Sequence, residues 1–334
     1  MKHVFLINPR AGKRDRTARL RALADRLAAA HGLDVACLVT DRPGGAEHLA
    51  RSLAETGEDV RLYACGGDGT VHETANGIAG FPNAAMTVIP VGTGNDFLKN
   101  FGPDAAGFAD PEHLWDGPAF PLDLIDCNGR LCLTIACSGI DARVADTVHR
   151  YDALPLLSGR GSYLLSVAAN FLLRPIGRRW TVTLDGEVTE DDFALVSVCN
   201  GRYYGGGSMP VPEARMDDGV LHTILVRDVP KATFARLFPA YSAGEHRRLP
   251  EALVRVVTAR EVTIAARPGD EDIVTCLDGE CRRSRQVRLR LSEKKVNFFG
   301  PAGCDPNATA RGPVPPAPCS AGTRQGSHAD FDYF

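Results

Sequence analysis

The residues whose types and spacing carry the most chemistry are Gly66-Gly67-Asp68-Gly69-Thr70. Three glycines in four positions leave no Cβ to hold a ligand off the main chain, and they tolerate backbone angles that other residues resist. Successive amide N–H groups in such a loop converge on a phosphate, with a helix N-terminus behind them. An acid in that place repels phosphate unless a cation intervenes, so Asp68 implies Mg²⁺ or a metal-bound water. The bland reading of the same letters is a tight strand-to-helix turn with Thr70 as N-cap.

Other stretches carry groups of the same kind. Gly92-Thr93-Gly94-Asn95-Asp96 is a second glycine-bearing loop ahead of a short helix, where Asn95 or Asp96 could also be a simple cap. Asp217-Asp218-Gly219 sets carboxylates at a turn, where side-chain and backbone oxygens can hold a hard cation. In Asp278-Gly279-Glu280 an acid follows a turn dipeptide, either as an exposed rim carboxylate or as a general base. Tyr203 and Tyr204 before Gly205-Gly206-Gly207 make a flexible loop with amphipathic rims. Gly12-Lys13 is not a P-loop, because Ile7 and Arg14 stand where that pattern needs Gly and Ser or Thr. The Asn8–Gly12 loop can still offer N–H groups and a cation to phosphates.

The elements that must position these groups fall into two sets. Val4–Ile7, Asp34–Thr40, Val60–Cys65 and Ala85–Ile89 read as strands. Thr17–His31, Ala46–Thr56 and Val71–Ile78 read as the helices between them. This alternation predicts a parallel sheet covered on both faces, with ligands at the carboxyl ends of its strands. Asn8–Gly12, Thr40, Gly66–Thr70 and Gly92–Asp96 all fall at such ends. From Phe120 onward strand-like runs meet at hairpin dipeptides. Pro121–Cys127 and Leu131–Cys137 flank Asn128-Gly129, and Arg179–Leu184 and Glu187–Glu190 flank Asp185-Gly186. Phe193–Cys199, Val220–Val226, Val262–Ala265, Ile273–Leu277 and Val287–Leu291 continue the series, interrupted by helices near 161–173 and 230–242. The fold class is therefore α/β plus mainly β. Residues 1–120 form a parallel-sheet nucleotide-binding domain and 121–291 an antiparallel β-rich domain, with a cleft between them. The segment 292–300 returns to the first domain, and 301–334 is a Pro-, Gly-, Ala- and Ser-containing tail read as disordered.

Composition bounds the rest. A chain of 334 residues has room for about two domains with real cores. Its 38 Lys and Arg against 41 Asp and Glu give a formal net charge of −3, which offers no global attraction to nucleic acid. No run approaches the ~20 apolar residues of a membrane span, and Met1–Ile7 reads as a strand and not a signal peptide. Ten scattered cysteines without a Cys-x-x-Cys pattern read as reduced, mostly buried thiols of a cytosolic protein.

In order along the chain, these stretches resemble those of the diacylglycerol-kinase-type lipid kinases, a family that includes bacterial soluble lipid kinases and sphingosine kinases. The resemblance rests on Asn8-Pro9 with Gly12, on Gly66–Thr70, Pro90–Asp96, Gly139-Ile140-Asp141-Ala142 and Tyr203–Gly207, and on Asp218-Gly219 and Asp278–Glu280. It runs from Asn8 to about Phe299. It implies a lipid kinase that moves the γ-phosphoryl of ATP to a lipid hydroxyl with Mg²⁺ as cofactor. The acceptor is left open among diacylglycerol, phosphatidylglycerol, a sphingoid base and an isoprenoid alcohol. By position, the resemblance puts Asn8, Pro9, Arg10, Ala11, Gly12, Thr40, Gly66, Gly67, Asp68, Gly69, Thr70, Val71, His72 and Thr93 around ATP. It puts Asp68, Asp96 and Asp123 in a magnesium and water network, with Asp68 also counted as catalytic. Asp218 and the main chain of Arg215 and Val220 would hold a structural Mg²⁺, and Glu280 would be the general base. His72 stands where the family commonly has Asn, and Ser138 where a glycine is usual.

A lipid acceptor implies a cytoplasmic protein that meets the inner face of a membrane without crossing it; a homodimer is left open. Leu154–Leu157, Tyr163–Phe171 and Tyr203–Tyr204 offer apolar surface for lipid chains, although Ser162–Leu173 reads better as a core helix. Arg174, Arg178, Arg179 and Arg202 make either a basic face for an anionic leaflet or an ordinary solvated one. Two other readings stand beside this one. An NAD kinase shares a Gly-Gly-Asp-Gly loop, but the second half here lacks that family's Asn-Gly-Ser-Thr-Ala-Tyr-like segment. A nucleotide sensor without turnover would have no need of Glu280.

Overall fold

The computed structural model describes residues 1–12, 14–91, 95–152, 160–304 and 306, with the backbone alone for 149–152 and 160–164. Strands β1 (Lys2–Ile7), β2 (Asp34–Val39), β3 (Val60–Gly66) and β4 (Ala84–Pro90) pair in parallel in the order β2-β1-β3-β4. Val4–Ile7 and Leu62–Cys65 are fully buried apolar runs, the pattern of strands covered on both faces. Helices α1 (Thr17–His31), α2 (Gly45–Ala54) and α3 (Asp68–Ile78) supply the cover, and the short α4 (Asp96–Lys99) follows β4. α1 buries Leu20, Ala24 and Leu27 at helical spacing and stops at Gly32, which takes the left-handed conformation. The amides of Gly44 and Ala46 at the start of α2 donate to the carboxylate of Glu73 in α3, so this helix N-terminus is closed by protein.

The strand expected over Pro121–Cys127 is broken. Its first part belongs to β5 (Ala119–Leu122) in the parallel-sheet layer, and its second is β6 (Ile125–Cys127) in the other sheet. Between them the chain changes layers, with Asp123 N donating to Met216 O and Leu124 O accepting from Ser292 N. The second sheet continues with β7 (Arg130–Cys132), β8 (Ile135–Gly139), β9 (Arg178–Leu184), β10 (Glu187–Cys199), β11 (Leu221–Arg227), β12 (Val254–Ala259), β13 (Glu261–Ala266), β14 (Ile273–Leu277), β15 (Glu280–Ser284) and β16 (Gln286–Leu291). Its pairings are antiparallel. β10 is one long strand where two were expected, and β12 and β15 were not expected at all. Asn128-Gly129, Asp185-Gly186 and Asp278-Gly279 all have positive φ at both residues, the signature of a type I′ hairpin turn.

Three helices cover this sheet: α5 (Ile140–Asp152), α6 (Arg160–Leu173) and α7 (Lys231–Ser242). α5 is a helix that the sequence reading missed. It starts directly after β8 with no turn residues to mark its beginning. The last strand, β17 (Val296–Phe299), lies between β4 and β5, parallel to the first and antiparallel to the second. Its Phe298 packs in the first core among Phe97, Phe101, Phe108 and Phe120. The parallel layer is thus completed by residues from the far end of the chain.

Candidate active site

The loops at the carboxyl ends of β1, β2 and β3 meet. Asn8 N donates to Cys65 O at 3.1 Å, and Thr40 N donates to Ile7 O at 2.9 Å. Asn8 Nδ2 donates to Thr70 Oγ1 at 3.1 Å, while its Oδ1 accepts from Arg10 N at 3.0 Å. Pro9 and Ala11 complete this turn, with Ala11 N bonded to Asn8 O, and Gly12 takes φ 77°. Gly66 is required by contact: a Cβ there would stand 2.2 Å from Thr70 Oγ1. The expected left-handed backbone is not used, because Gly66, Gly67 and Gly69 all lie outside positive φ and Gly67 is extended at φ −101°. Thr70 is not the N-cap either. Gly67 holds that position and Thr70 lies inside the first turn of α3. The amides of Thr70 and Val71 donate to Gly67 O, so the geometry of a helix start leaves those of Asp68 and Gly69 for a ligand.

Asp68 turns its carboxylate to the start of α4, accepting from Asp96 N at 3.2 Å and Phe97 N at 3.3 Å. Burial, and then the neighbouring Asp96 carboxylate, push the Asp68 carboxyl up to about 7, against the pull of these two amides. Asp96 is held by Lys99 Nζ at 2.6 Å and by Gly206 N of the tyrosine-glycine loop at 2.6 Å. A divalent cation beside Asp68 and Asp96 would relieve the raised Asp68 carboxyl. Among the described residues no cluster of three or more His, Cys, Asp or Glu side chains is arranged to hold a metal. Mg²⁺ at Asp68 and Asp96 would therefore complete its oxygen shell with phosphate and water, as that ion usually does.

Glu280 reaches the same place from the far end of the chain. It opens β15 at the tip of the β14–β15 hairpin, and its Oε1 lies 3.5 Å from where a Cβ on Gly69 would sit. The hairpin tip is clamped through its neighbour Asp278. Asp278 Oδ1 accepts from Thr134 N at 2.8 Å and Thr134 Oγ1 at 2.5 Å. Its Oδ2 accepts from Leu133 N at 2.7 Å and His72 Nδ1 at 3.0 Å. Burial would raise this carboxyl, but the His72 and Thr134 bonds and the Leu133 amide outweigh it and hold Asp278 at about 2. Arg130 Nε donates to His72 Nε2 at 3.2 Å, so Nε2 must be the acceptor and Nδ1 carries the proton toward Asp278. Arg130 NH1 donates in turn to Glu47 of α2 at 2.5 Å.

Asp68, Gly69, Asp96 and Glu280 form the polar end of a cavity of about 630 Å³. Its other end is apolar, lined by Ile140 and Val144 of α5, Val167 and Phe171 of α6, and Phe234 and Phe238 of α7. One polar chain enters this wall. Tyr241 OH donates to Tyr204 OH at 2.9 Å, and Tyr204 OH donates to Asp141. Burial raises the Asp141 carboxyl against the hydrogen bond from Tyr204.

Asp123 does not join Asp68 and Asp96. It lies under the 216–219 turn, where its Oδ2 accepts from Gly219 N at 2.7 Å and its Oδ1 pairs with Lys295 at 2.8 Å. Asp218 Oδ1 accepts from Val220 N at 3.0 Å, and Arg215 Nε lies 3.7 Å from Asp217. Burial raises the Asp218 carboxyl, and the Val220 amide opposes this. Arg202 is no leaflet-facing residue: it is buried, and its NH2 donates to Asn100 O at 2.6 Å. Arg178 and Arg179 pair with Glu271 and Asp192, while Arg174 is exposed. Thr93, Leu154–Leu157 and the side chain of Tyr163 lie outside the described residues, as does most of the 301–334 tail.

Both halves of the chain match known proteins. Residues 2–127 match the diacylglycerol kinase catalytic domain, and residues 134–299 match the YegS C-terminal NAD kinase beta sandwich-like domain. A probable lipid kinase YegS-like of Pseudomonas aeruginosa is 31% identical over 277 residues, covering 81% of this chain and 86% of that protein. A diacylglycerol kinase of Mycobacterium tuberculosis is 32% identical over 241 residues, covering 70% and 74%. The chain belongs to the diacylglycerol kinase family. The fold is also that of a putative diacylglycerol kinase from Bacillus anthracis, with a TM-score of 0.69 at 24% identity over 91% of this chain and 98% of that one.

Within this diacylglycerol kinase-family chain both departures from the common pattern have partners. His72 is the buried link between α3 and the Glu280 hairpin, and Ser138 Oγ shares a hydrogen bond with Thr275 Oγ1 at 2.8 Å. The sequence reading missed the clamp on Asp278, the Asp141–Tyr204–Tyr241 chain and the cavity face of α7. The positive-φ dipeptide Asp278-Gly279 was the available signal for the first. The other two depend on helices whose placement no local pattern fixes.

Proposed function

We propose that this chain is an ATP- and Mg²⁺-dependent lipid kinase that phosphorylates the hydroxyl of diacylglycerol or a related lipid, with Glu280 as general base. One observation carries the reading. A carboxylate from late in the chain stands beside the first turn of the phosphate-loop helix, in a cavity whose helix-lined part is mostly apolar. In this mechanism the amides at the start of α3, with Asn8–Gly12, Thr40, Val71 and Thr93 around them, bind and orient the nucleotide, while the buried His72 ring holds the Glu280 hairpin. Asp68 and Asp96 would hold Mg²⁺, which supplies charge neutralisation on the phosphates. The acceptor oxygen forms a bond to the γ-phosphorus as the bond to the bridging oxygen of ADP breaks. Glu280 takes the hydroxyl proton. The apolar end of the cavity holds the acyl chains and keeps water from the reacting atoms. The Asp218 turn, with the main chain of Arg215 and Val220, would hold a second, structural Mg²⁺, and Asp123 braces that turn through the Gly219 amide. The protein works from the cytoplasmic face of a membrane whose lipid it modifies.

The test is transfer of labelled phosphate from ATP to a panel of lipids, paired with calorimetric ATP binding, on wild type and Glu280→Gln. Gln keeps the size but cannot accept the proton. Turnover should fall by roughly 10²–10⁴ with ATP affinity nearly unchanged. Full activity in the variant would retire Glu280 as the base. No transfer by wild type to any lipid would return weight to a nucleotide-sensing role.

A further inference from the structure

Two of the three helices that line the apolar end of the cavity, α6 and α7, also carry an apolar outer edge. In α6, Val167 and Phe171 face the cavity, while the next two residues, Leu172 and Leu173, are 66% and 82% exposed. In α7, Phe238 both lines the cavity and is 37% exposed, so the cavity reaches solvent at this helix. The helices are joined across the gap. Lys231 Nζ of α7 donates to Leu172 O at 2.7 Å, and the rings of Phe171 and Phe234 lie 6.2 Å apart. Large aliphatic side chains exposed to this degree cost free energy in water and are not explained by anything they touch.

The charged side chains of the two helices have one sign. Neither α6 nor α7 contains Asp or Glu, and Lys231, Arg236 and Arg174 are exposed on or next to them. Asp228, in the connection before α7, is the single acid of the stretch 228–242. Apolar tips flanked by basic side chains suit an interface between hydrocarbon and anionic headgroups. No helix among the described residues is long and apolar enough to cross a membrane, so such a surface would rest on the bilayer.

We infer that the α6–α7 edge seats the protein on the surface of an anionic lipid bilayer, with Leu172 and Leu173 inserted, and that acyl chains pass from the bilayer into the cavity between these helices. This rests on the lipid-kinase reading but is tested apart from it. The assay is co-sedimentation with vesicles of phosphatidylcholine alone or mixed with phosphatidylglycerol, using wild type and the double variant Leu172→Glu/Leu173→Glu. Both side chains are exposed, so the melting temperature should not change; Leu172→Ala/Leu173→Ala serves if it does. Wild type should bind the mixed vesicles more tightly, and salt should remove that excess. The double variant should lose about 100-fold in partitioning, from two leucines no longer buried in hydrocarbon. It should keep wild-type transfer to lipid dispersed in detergent while losing transfer to lipid in vesicles.

Unchanged vesicle binding by the double variant would overturn the inference. So would self-association of wild type that the variant loses while vesicle binding persists, because the edge would then pair two copies of the chain. Vesicle binding that depends on the leucines, without phosphate transfer to any lipid, would sink the kinase reading and leave the edge standing.

Discussion

Asp278→Asn is the perturbation that the geometry resolves best. The two oxygens of Asp278 face donors alone: Thr134 N and Oγ1 on one side, Leu133 N and His72 Nδ1 on the other. An Asn that keeps its oxygen toward Thr134 must point its NH₂ group at the Leu133 amide and at the His72 proton. Moving that proton to Nε2 gives no relief, because Arg130 Nε already donates there at 3.2 Å. Two buried donors are left without acceptors, at about 1–3 kcal/mol each. The lowered pKa that these same bonds produce gives a figure of the same size. Asp278 titrates at about 2 when folded, against about 3.9 for a free Asp, which corresponds to roughly 2.5 kcal/mol.

The sign follows from the direction of that shift. A carboxyl depressed by folding contributes its stability fully above the unfolded pKa, and the contribution disappears as pH falls through the folded one. Wild type should therefore lose this share between about pH 4 and pH 2, whereas Asp278→Asn lacks it throughout. Urea unfolding at pH 7 should show a loss on the order of 3 kcal/mol. Turnover should fall more than ATP affinity, because the freed hairpin carries Glu280. An unfolding midpoint at pH 7 within error of wild type would refute the hydrogen-bond reasoning.

Two further outcomes are expected. Gly66→Ala should lose about 1–3 kcal/mol and weaken ATP binding, since its Cβ would meet Thr70 Oγ1 at 2.2 Å and Thr70 Cβ at 2.5 Å. Gly69→Ala, whose Cβ meets only Glu280 Oε1 at 3.5 Å, should keep its melting temperature; equal thermal losses in the two would undo the contact argument. Mg²⁺ should raise the melting temperature of wild type but not of Asp218→Asn, by an amount that grows with the ratio of free ion to its Kd. Identical responses would make the 216–219 segment an ordinary turn.

The parallel layer was legible because its physics is local. β1, β3 and β4 are apolar runs bounded by loop residues, and α1 announces both its buried stripe and its stop at Gly32. The hairpins were legible for the same reason, since Asn128-Gly129 and Asp185-Gly186 take the positive φ that such dipeptides favour. What failed was long-range. Nothing in Pro121–Cys127 announces that the chain changes layers at Asp123, because that exchange is fixed by Met216 and Ser292. Arg202 looked like surface charge, but it is buried and its guanidinium donates to the carbonyl of Asn100. Glycine chemistry misled at Gly67, where position in the helix start and not a left-handed angle sets the backbone.

Glu280 shows why the second kind of information governs the site. Its neighbour Asp278 is fixed by Leu133 and Thr134 from its own sheet, and also by His72 from the first domain. His72 is steadied by Arg130, and Arg130 is tied to Glu47 on α2. The position of Glu280 relative to Gly69 is therefore set across the junction of the two sheets, by a chain of bonds from α2 to the hairpin tip. A loss anywhere along that chain can misplace the carboxylate while both domains stay folded. A misplacement of about 1 Å is enough to cost on the order of 10² in rate. A shorter side chain such as Asn at position 72 could not hold Asp278 and face Arg130 through two ring nitrogens. In this chain the histidine links α3 directly to the hairpin that carries Glu280.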